Sequence, residues 1–408
     1  MLTGIEVEGS IIAEELTYGA TNYASLPVVL TKGKGTEVWD IRGNRFLDFM
    51  SAYSAANLGH CHPRIVQVVS EQAARLGVVS RAFHHDRLGA FLKRACDATG
   101  MDKALPMNSG AEAVETAIKA ARKWAYEVKG VKPGRAEIVC CNRNFHGRTM
   151  GMISMSSSTQ NRSGFGPYLR GFLHVPFGDV DALENAITNN TAAFVVEPIQ
   201  GEAGVVLPPP EYLHKCEEIC RRNNVLLIVD EIQTGLGRAG HMLACNAQGV
   251  KPDAVCLGKA LGGGVVPVSL FLARQEVMDV FQPGDHGSTF GGYPIAAAVG
   301  IEALQIVEDE SLCERSMRVG KSLKSRLEEI RADSIVEVRG QGLMIGLEVK
   351  GGRNPAKRLA LALMSNGILC KDVNQTTLRL APPLNVHVDH VEEFLNVFAE
   401  EVAKLESS

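Results

Sequence analysis

The chain has 408 residues, of which 45% are hydrophobic, so it can bury a large core and exceeds the usual size of one domain. Its formal net charge is -4 and no basic block occurs, which argues against nucleic acid or an anionic membrane as a partner. No apolar run approaches the ~20 residues that span a bilayer, the acidic N-terminus shows no export signal, and the ten cysteines are scattered, so we expect a cytoplasmic protein with reduced thiols.

Up to about residue 305, short apolar runs alternate with amphipathic helical patterns. The runs are continuously apolar, which is typical of strands that are covered on both faces in a mainly parallel sheet. The alternation predicts an α/β domain with helices on both sides of its sheet. In chain order, the predicted elements are a helix at 111–128, strands at 136–141 and 192–198, a helix at 210–224, and strands at 224–230 and 253–258.

After about residue 305 the pattern changes to two long amphipathic helices, predicted at 312–331 and 388–405. They flank strand-like stretches at 336–349 and 377–384, which indicates a smaller α+β domain. We predict three parts of the chain: an N-terminal segment at 1–52, a large domain at 53–305 and a small C-terminal domain at 306–408.

Histidine and cysteine clusters do not form a metal-ligand pattern. Cys216 and Cys220 lie four residues apart in a predicted helix, but no second pair completes a zinc site. The runs at 60–62 and 140–141 are equally isolated. We therefore predict ordinary packing for these side chains and no metal.

The stretch GLGRAG, at 235–240, spells G-x-G-x-x-G but lacks the context of a dinucleotide-binding turn. DEIQT separates the preceding strand from the first glycine, little room for a helix follows, and the residues about 20 positions on read Gly258-Lys259-Ala260 instead of an acid. That tripeptide is not a phosphate-binding P-loop either, because no Ser or Thr follows the lysine. We interpret GLGRAG as a flexible loop.

Two neighbouring strand ends carry the stronger signal. Asp230 closes one buried strand at its carboxyl end, and Lys259 follows the end of the next. Open α/β sheets bind their ligands at this edge. A lone strand-end acid is often a turn residue, and a lone lysine is often a solvated charge. Together they predict an acid and an amine in one site.

This pair matches what pyridoxal phosphate requires. A lysine forms a Schiff base with the cofactor, and an acid keeps its pyridine nitrogen protonated so that the ring can accept electrons. The cofactor also needs an anion site, and Ser109 and Gly110 precede a predicted helix in which Ser109 and Glu112 have capping-box spacing. Such a motif alone indicates a capped helix, but beside Asp230 and Lys259 it favours a phosphate site.

Long motifs along almost the whole chain resemble the class III aminotransferases, which are pyridoxal-phosphate enzymes of fold type I, and among them the ornithine-specific group. The resemblance implies a large domain with a mainly parallel central sheet flanked by helices, plus a smaller α+β C-terminal domain. The motifs are ELTYGATNYASLPVVL, SAYSAANLGHCHP, NSGAEAVETA, NFHGRT, VVEPIQGEAGV, VDEIQTGLGR, LGKALGGG, HGSTFGG and LRLAPPL.

The resemblance implies how the cofactor ring is held. Lys259 would form the covalent link and then move the proton, and Asp230 would pair with the pyridine nitrogen. Gln233 would hydrogen-bond the ring hydroxyl. Phe145 would stack on one face of the ring, with Ile232 against the other face.

It also implies how the phosphate is bound. Ser109, Gly110 and Ala111 would contact it within one chain. Ser288 and Thr289 would reach it from the neighbouring subunit, so the active site would belong to a homodimer.

For the substrate, the resemblance implies two carboxylate-binding arginines, Arg148 and Arg379, with Glu202 able to pair with Arg379. Tyr23 and Tyr53 match aromatic positions that contact ornithine, although packing is the usual role of a tyrosine. Enzymes acting on acetylornithine or 4-aminobutyrate typically lack an equivalent of Tyr53.

The implied reaction moves the δ-amino group of L-ornithine to 2-oxoglutarate, which yields glutamate 5-semialdehyde and glutamate. Acetylornithine or another ω-amino donor is the alternative substrate. A homologue that binds pyridoxal phosphate without activity is the alternative of another class, and the intact site positions argue against it. His146 has no role that the sequence defines.

Overall fold

The computed structural model describes residues 4–406. The first three strands belong to a small sheet that is separate from the central sheet. Strands β1 to β3 pair antiparallel, and β3 also pairs in parallel with β13 of the C-terminal region. The N-terminal segment therefore packs with a part of the chain far away in sequence. Its elements are α1 (Gly4–Tyr18), β1 (Leu30–Lys34), β2 (Glu37–Asp40), β3 (Arg45–Asp48) and α2 (Ser51–Ser54), with β13 at Ile368–Leu369.

The large domain is built on a seven-stranded sheet in the order β4-β10-β9-β8-β7-β5-β6. Strands β5 to β9 run parallel, and β10 lies antiparallel to both of its neighbours, β9 and β4. The strands are β4 (Lys103–Met107), β5 (Glu137–Cys141), β6 (Phe172–Val175), β7 (Thr191–Val196), β8 (Leu226–Asp230), β9 (Ala254–Leu257) and β10 (Ser269–Ala273).

Helices cover both faces of this sheet, and a separate hydrophobic cluster lies on each side. All residues of β7, β8 and β9 are buried, which explains why their sequences are continuously apolar. The helices of this region are α3 (Pro63–Arg75), α4 (Leu88–Thr99), α5 (Gly110–Trp124), α6 (Met150–Met155), α7 (Thr159–Arg162), α8 (Val180–Ala186), α9 (Tyr212–Arg222), α10 (Gln275–Met278) and α11 (Pro294–Asp309).

The C-terminal region forms an antiparallel sheet in the order β11-β12-β15-β14, packed against helices. Its core includes Leu347, Phe394 and Phe398, which are fully buried. The elements are α12 (Leu312–Glu329), β11 (Ile335–Gln341), β12 (Met344–Val349), α13 (Pro355–Ser365), β14 (Lys371–Val373), β15 (Thr377–Leu380) and α14 (Val388–Glu406).

The predicted architecture, a mainly parallel sheet flanked by helices with a smaller α+β region, is confirmed. The predicted strand-like stretch at 336–349 is an antiparallel hairpin of two strands, because Gly342, with φ of +58°, turns the chain between them. The domain boundaries near residues 52 and 305 stay predictions. None of the helices between residues 4 and 406 is long and apolar enough to cross a membrane.

The interpretation of GLGRAG as a flexible loop is wrong. No helix follows it directly, but the loop is buried along its length and is tied to its surroundings by hydrogen bonds. Arg238 is fully buried and donates to Asn57 and to the carbonyls of Leu343 and Pro382. Since each of these bonds would be lost if the loop moved away, its conformation is fixed.

Candidate active site

The carboxyl ends of β8 and β9 place an acid and an amine at one edge of the central sheet. The two strands pair in parallel, and Asp230 is opposite Cys256, three residues before Lys259. Both side chains line a cavity of about 180 Å³. The site that the strand ends predict is therefore assembled within one chain.

Lys259 has an unusual backbone and an altered amine. Its φ is +42°, in the left-handed region, which costs roughly 1–2 kcal/mol for a residue with a side chain. Burial lowers the pKa of Lys259, although the charges of Glu202 and Asp230 act in the opposite direction. A lowered pKa increases the fraction of free amine, which is the form that reacts as a nucleophile.

Asp230 has a partner that the sequence did not reveal. Its Oδ2 lies 2.6 Å from Nδ1 of His146, and its Oδ1 accepts the Ile232 N–H at 3.0 Å. Burial acts to lower the pKa of His146, but the hydrogen bond to Asp230 and the charges of Asp230 and Glu197 outweigh it and raise that pKa. His146 can therefore orient the carboxylate.

A second buried acid, Glu197, lines the same cavity. Its Oε2 accepts the N–H of Phe145 at 3.1 Å. Burial raises the pKa of Glu197 to about 8, with a further increase from Asp230, while His146 and Lys259 act in the opposite direction. A raised pKa favours the protonated carboxyl, which can still accept from Phe145 through its carbonyl oxygen.

Apolar groups form the walls of the cavity. Phe145 and Ile232 both line it, as do Gly110 and Gly147. A Cβ added at Gly110 would lie 3.0 Å from two carbons of Ile232, so a larger residue there would narrow the cavity. These apolar groups and Asp230 line one cavity, which we call the slot.

The N-terminus of α5 lies at the edge of this slot. Ser109 Oγ accepts the N–H of Glu112 at 3.2 Å, and Glu112 Oε2 accepts the N–H of Ser109 at 2.7 Å, so the predicted capping box is present. The Gly110 and Ala111 amides belong to the first turn, whose N–H groups have no acceptor within a helix. Together with the Ser109 hydroxyl they can bind an anion.

The two residues predicted to come from a neighbouring subunit lie outside the cavity of their own chain. Ser288 Oγ accepts from Asn108 Nδ2 at 2.7 Å, which places it beside the residue that precedes Ser109. Thr289 is exposed in the same loop. Both stay predictions as phosphate contacts.

The other end of the cavity carries an ion pair. Arg379 is 2% exposed and donates through Nη1 to Glu202 Oε1 at 2.6 Å, while its Nη2 is buried without a partner in the described chain. Burial would raise the pKa of Glu202, but the charge and the hydrogen bond of Arg379 lower it. Gln233 donates to Glu202 Oε1 at 3.3 Å.

Tyr53 packs against this ion pair from an unusual turn. The Arg379 guanidinium lies 5.2 Å from the centre of the Tyr53 ring, and Gln233 donates to the Tyr53 carbonyl at 3.4 Å. Ser51 to Ser54 all have positive φ values, which cost roughly 1–2 kcal/mol each. The resulting left-handed turn presents the phenol ring to Arg379.

Arg148 and Tyr23 are exposed rather than buried. The Arg148 guanidinium lies 5.9 Å from the centre of the Phe145 ring, at the mouth of the cavity. Tyr23 is 70% exposed, and its charge contributes to raising the pKa of Tyr53, after burial and Glu202, so the two phenols are near each other.

A larger cavity, of about 850 Å³, opens at the opposite edge of the sheet. Its charged side chains are largely paired with each other, for example Arg221 with Glu217 and Arg274 with Asp253. Among residues 4–406, no group of His, Cys, Asp and Glu side chains is arranged to hold a metal ion.

A buried acid, a lysine with a lowered pKa, an apolar slot and a helix N-terminus define a pyridoxal-phosphate enzyme. The fit rests on the groups present: the Asp230 carboxylate can accept from a protonated ring nitrogen, and the N–H groups in the first turn of α5 can donate to a phosphate. The family model for class III aminotransferases matches residues 18–402, and the chain belongs to that family. Its cofactor is pyridoxal phosphate, and it is a transferase.

Similar proteins include ornithine aminotransferases. That of Geobacillus sp. (strain WCH70) is 53% identical over 386 residues, which cover 94% of this chain and 96% of the relative. The ornithine aminotransferase of Toxoplasma gondii, solved with partial occupancy of PLP, has a TM-score of 0.96 at 42% identity and covers 100% of this chain and 99% of its own. An acetylornithine aminotransferase from Elizabethkingia anophelis has a TM-score of 0.89 at 42% identity, covering 97% and 99%.

His146→Phe should remove the partner of Asp230 and leave the cofactor slot in place. The loss of a charge-assisted hydrogen bond corresponds to about 10- to 100-fold in kcat if it is fully expressed in the transition state. Steady-state kinetics and the cofactor absorption spectrum measure the effect. His62→Gln is the matched control, because His62 pairs with Glu310 outside the cavity. A normal kcat with a normal spectrum would remove His146 from the catalytic machinery.

Glu197→Gln should stabilise the protein at alkaline pH. In the folded wild type, the Glu197 carboxyl keeps its proton up to about pH 8, whereas in the unfolded chain it loses the proton near its ordinary pKa of 4.5. The free energy of unfolding of the wild type therefore falls as the pH rises between these two values. Thermal unfolding of both proteins from pH 4 to 9 measures the difference, which should grow as the pH rises. A constant difference across the range would contradict the raised pKa.

Proposed function

We propose that the protein is an ornithine δ-aminotransferase. It would transfer the δ-amino group of L-ornithine to 2-oxoglutarate, giving glutamate 5-semialdehyde, which cyclises, and glutamate. The observation that carries the proposal is the Arg379–Glu202 ion pair packed against Tyr53 at the substrate end of the cavity. The names of the most similar relatives support it.

Pyridoxal phosphate, when bound, supplies an electron sink that stabilises negative charge on the substrate carbon. The residues of the chain control protons and orientation around it. Asp230, supported by His146, holds the proton on the pyridine nitrogen. Lys259, with its lowered pKa, would accept a proton from the amine-bearing carbon of the substrate. It would then donate that proton to the carbon of the cofactor that bears the transferred nitrogen.

The two substrates make opposite demands on the carboxylate-binding groups. Ornithine must present its δ-amino group to Lys259, whereas glutamate must present its α-amino group and brings a second carboxylate. With Glu202 paired to Arg379, Arg148 at the cavity mouth is the remaining anchor for the ornithine carboxylate. A glutamate carboxylate can compete for Arg379, whose unpartnered Nη2 offers a further donor.

Acetylornithine is the alternative donor, and the Elizabethkingia anophelis structure keeps it under consideration. Tyr53, whose ring lies 5.2 Å from the Arg379 guanidinium, favours ornithine, because the resemblance implies that enzymes acting on acetylornithine lack its equivalent. Single-turnover reactions with ornithine, N-acetylornithine, 4-aminobutyrate and glutamate, followed by the cofactor spectrum, decide between these donors. If no amine reacts although the cofactor is bound, the protein is the inactive binding homologue.

We also propose a homodimer in which Ser288 and Thr289 reach the phosphate site of the partner. Large apolar side chains are exposed in segments next to the site, including Phe83 at 71% and Phe290 at 48%, and a partner subunit would cover them. We place the enzyme in the cytoplasm, in proline and arginine metabolism. The ten cysteines, all described as free thiols, are compatible with that compartment.

Lys259→Ala should keep the fold and abolish turnover, because the nucleophile and the proton carrier are lost together. We expect a fall in kcat of at least about 100-fold, the lower end of what a positioned proton carrier contributes. Steady-state turnover of ornithine measures it, with circular dichroism to check the fold. Lys251→Ala is the control, because that lysine lies at the distant cavity. Turnover near the wild-type rate would refute the role of Lys259.

Glu202→Ala should expose Arg379 and weaken the preference for the δ-amino group of ornithine. We expect the rate ratio of ornithine to glutamate in single-turnover reactions to fall about tenfold or more, the effect of losing about 1.4 kcal/mol of discrimination. The keto products formed from ornithine are identified in parallel.

The matched control for this variant is Glu348→Ala, which breaks the ion pair with Arg339 outside the cavity. The control should leave the ratio unchanged. If Glu202→Ala also keeps the wild-type ratio and still yields only glutamate 5-semialdehyde, Glu202 does not control access to Arg379.

A further inference from the structure

The Ser51–Ser54 turn needs support from outside itself. Four consecutive residues with side chains adopt positive φ, between 45° and 77°, and such backbone persists only where the surroundings fix it. At its start, Asp48 Oδ1 accepts the N–H groups of Met50 and Ser51 at 2.8 and 2.9 Å. The start of the turn is therefore fixed by Asp48.

The end of the turn is held through Asn57. This residue is 1% exposed, and its side-chain oxygen accepts from both Nε and Nη2 of Arg238. Its main-chain oxygen accepts the N–H of Leu384 at 2.8 Å. Asn57 thus connects the segment of Tyr53 to the loop at 235–240 and to the C-terminal region.

Arg238 is a buried cation without an acidic partner. Its side chain is fully buried, and the described acceptors of its guanidinium are the Asn57 amide oxygen and two main-chain carbonyls, none of them a carboxylate. Burial lowers its pKa to about 9, which the charge of Asp48 partly opposes. A charge in such a position is retained only if its hydrogen bonds are made, and Arg238 makes them to neutral oxygens.

The acceptors of Arg238 belong to the segments that carry the substrate-binding residues. Besides Asn57, Nη1 donates to the carbonyls of Leu343 at 2.8 Å and Pro382 at 2.6 Å. Pro382 follows the strand that bears Arg379. Leu343 precedes Met344, whose side chain approaches Gly201 so closely that an added Cβ would lie 2.8 Å from it.

The main chain of Arg238 fixes the same junction. Its carbonyl accepts from Ser316 Oγ at 3.0 Å and from the N–H of Leu343 at 3.1 Å. A Cβ at Gly342 would lie 2.6 Å from this carbonyl, so only glycine permits the approach. The guanidinium is therefore held in one place relative to both β12 and β15.

We propose that Arg238 is a positioning residue for Arg379, the group that the proposed function assigns to the α-carboxylate of glutamate. Its planar fork joins the segment of the Tyr53 turn to Leu343, before β12, and to Pro382, after the strand of Arg379, and so sets the distance between the phenol ring and the Arg379 guanidinium. The inference rests on the proposed function in one respect: a substrate carboxylate must bind at Arg379. A lysine cannot replace the fork, because one ammonium group does not reach three acceptors in a plane.

The test compares Arg238→Lys with the wild-type holoenzyme on two amines. Glutamate and 4-aminobutyrate differ by the α-carboxylate alone, the group that Arg379 binds in the proposed function. We expect KM for glutamate to rise about tenfold, while the single-turnover rate with 4-aminobutyrate and the cofactor spectrum stay within about twofold of the wild type. Equal losses on both amines would show a general structural defect and overturn the proposal.

Hydrogen exchange measured by mass spectrometry gives a readout without substrate. In Arg238→Lys the amides of residues 50–58 should exchange at least about tenfold faster, with those of α5 unchanged. Arg315→Lys is the matched control, because Arg315 also donates to two carbonyls, those of Leu384 and Val386, but makes no bond to the turn. Unchanged exchange at 50–58 would overturn the proposal.

Variants of Asn57 test the same contact from the other side. Asn57→Ala removes the acceptor and should reproduce both effects of Arg238→Lys, while Asn57→Asp keeps an acceptor for the guanidinium and should preserve wild-type values. An Asn57→Ala protein with normal KM and exchange would overturn the proposal even if Arg238→Lys failed to fold. If the wild type itself does not react with ornithine, the proposed function fails, and the exchange at 50–58 still decides the role of Arg238.

Discussion

Charge balance in a cavity with little access to water is the constraint on which the rest of the site depends. Parallel strands bring Asp230 and Lys259 to one sheet edge, where a buried charge is stable only when it is paired or hydrogen-bonded. His146 pairs with Asp230, and Glu202 pairs with Nη1 of Arg379. For Lys259, burial instead lowers the pKa and favours the free amine, so the same cavity governs both stability and reactivity.

The sequence predicted the features that depend on local pattern. Buried parallel strands have continuously apolar sequences, so their carboxyl ends, and with them Asp230 and Lys259, were located correctly. The capping box of Ser109 was equally readable, because its partners lie three residues apart. The contact of His146 with Asp230 could not be predicted, because the two residues lie 84 positions apart and no local pattern encodes a contact of that span. The buried environment of Arg238 was missed for the same reason, and GLGRAG was mistaken for a flexible loop.

Backbone strain coincides with function at two places in the molecule. Lys259 and Tyr53 both have positive φ, although neither is a glycine. In each case the strained residue directs its side chain toward the cavity or the ion pair, and rigid neighbours hold it: the strand β9 before Lys259, and Asp48 before the turn of Tyr53. The surrounding fold therefore holds these side chains in their orientation, and many ordinary contacts offset the cost of the strained backbone.

The parallel pairing of β3 with β13 affects the order in which the protein can mature. Arg45–Asp48 are translated before their sheet partner Ile368–Leu369, which follows about 320 positions later. Until that partner is made, the first strands have an unpaired edge, and the turn of Tyr53, which follows β3 directly, lacks its C-terminal supports. Substrate recognition is thus acquired after the sheet that carries Asp230 and Lys259 has been translated and can assemble.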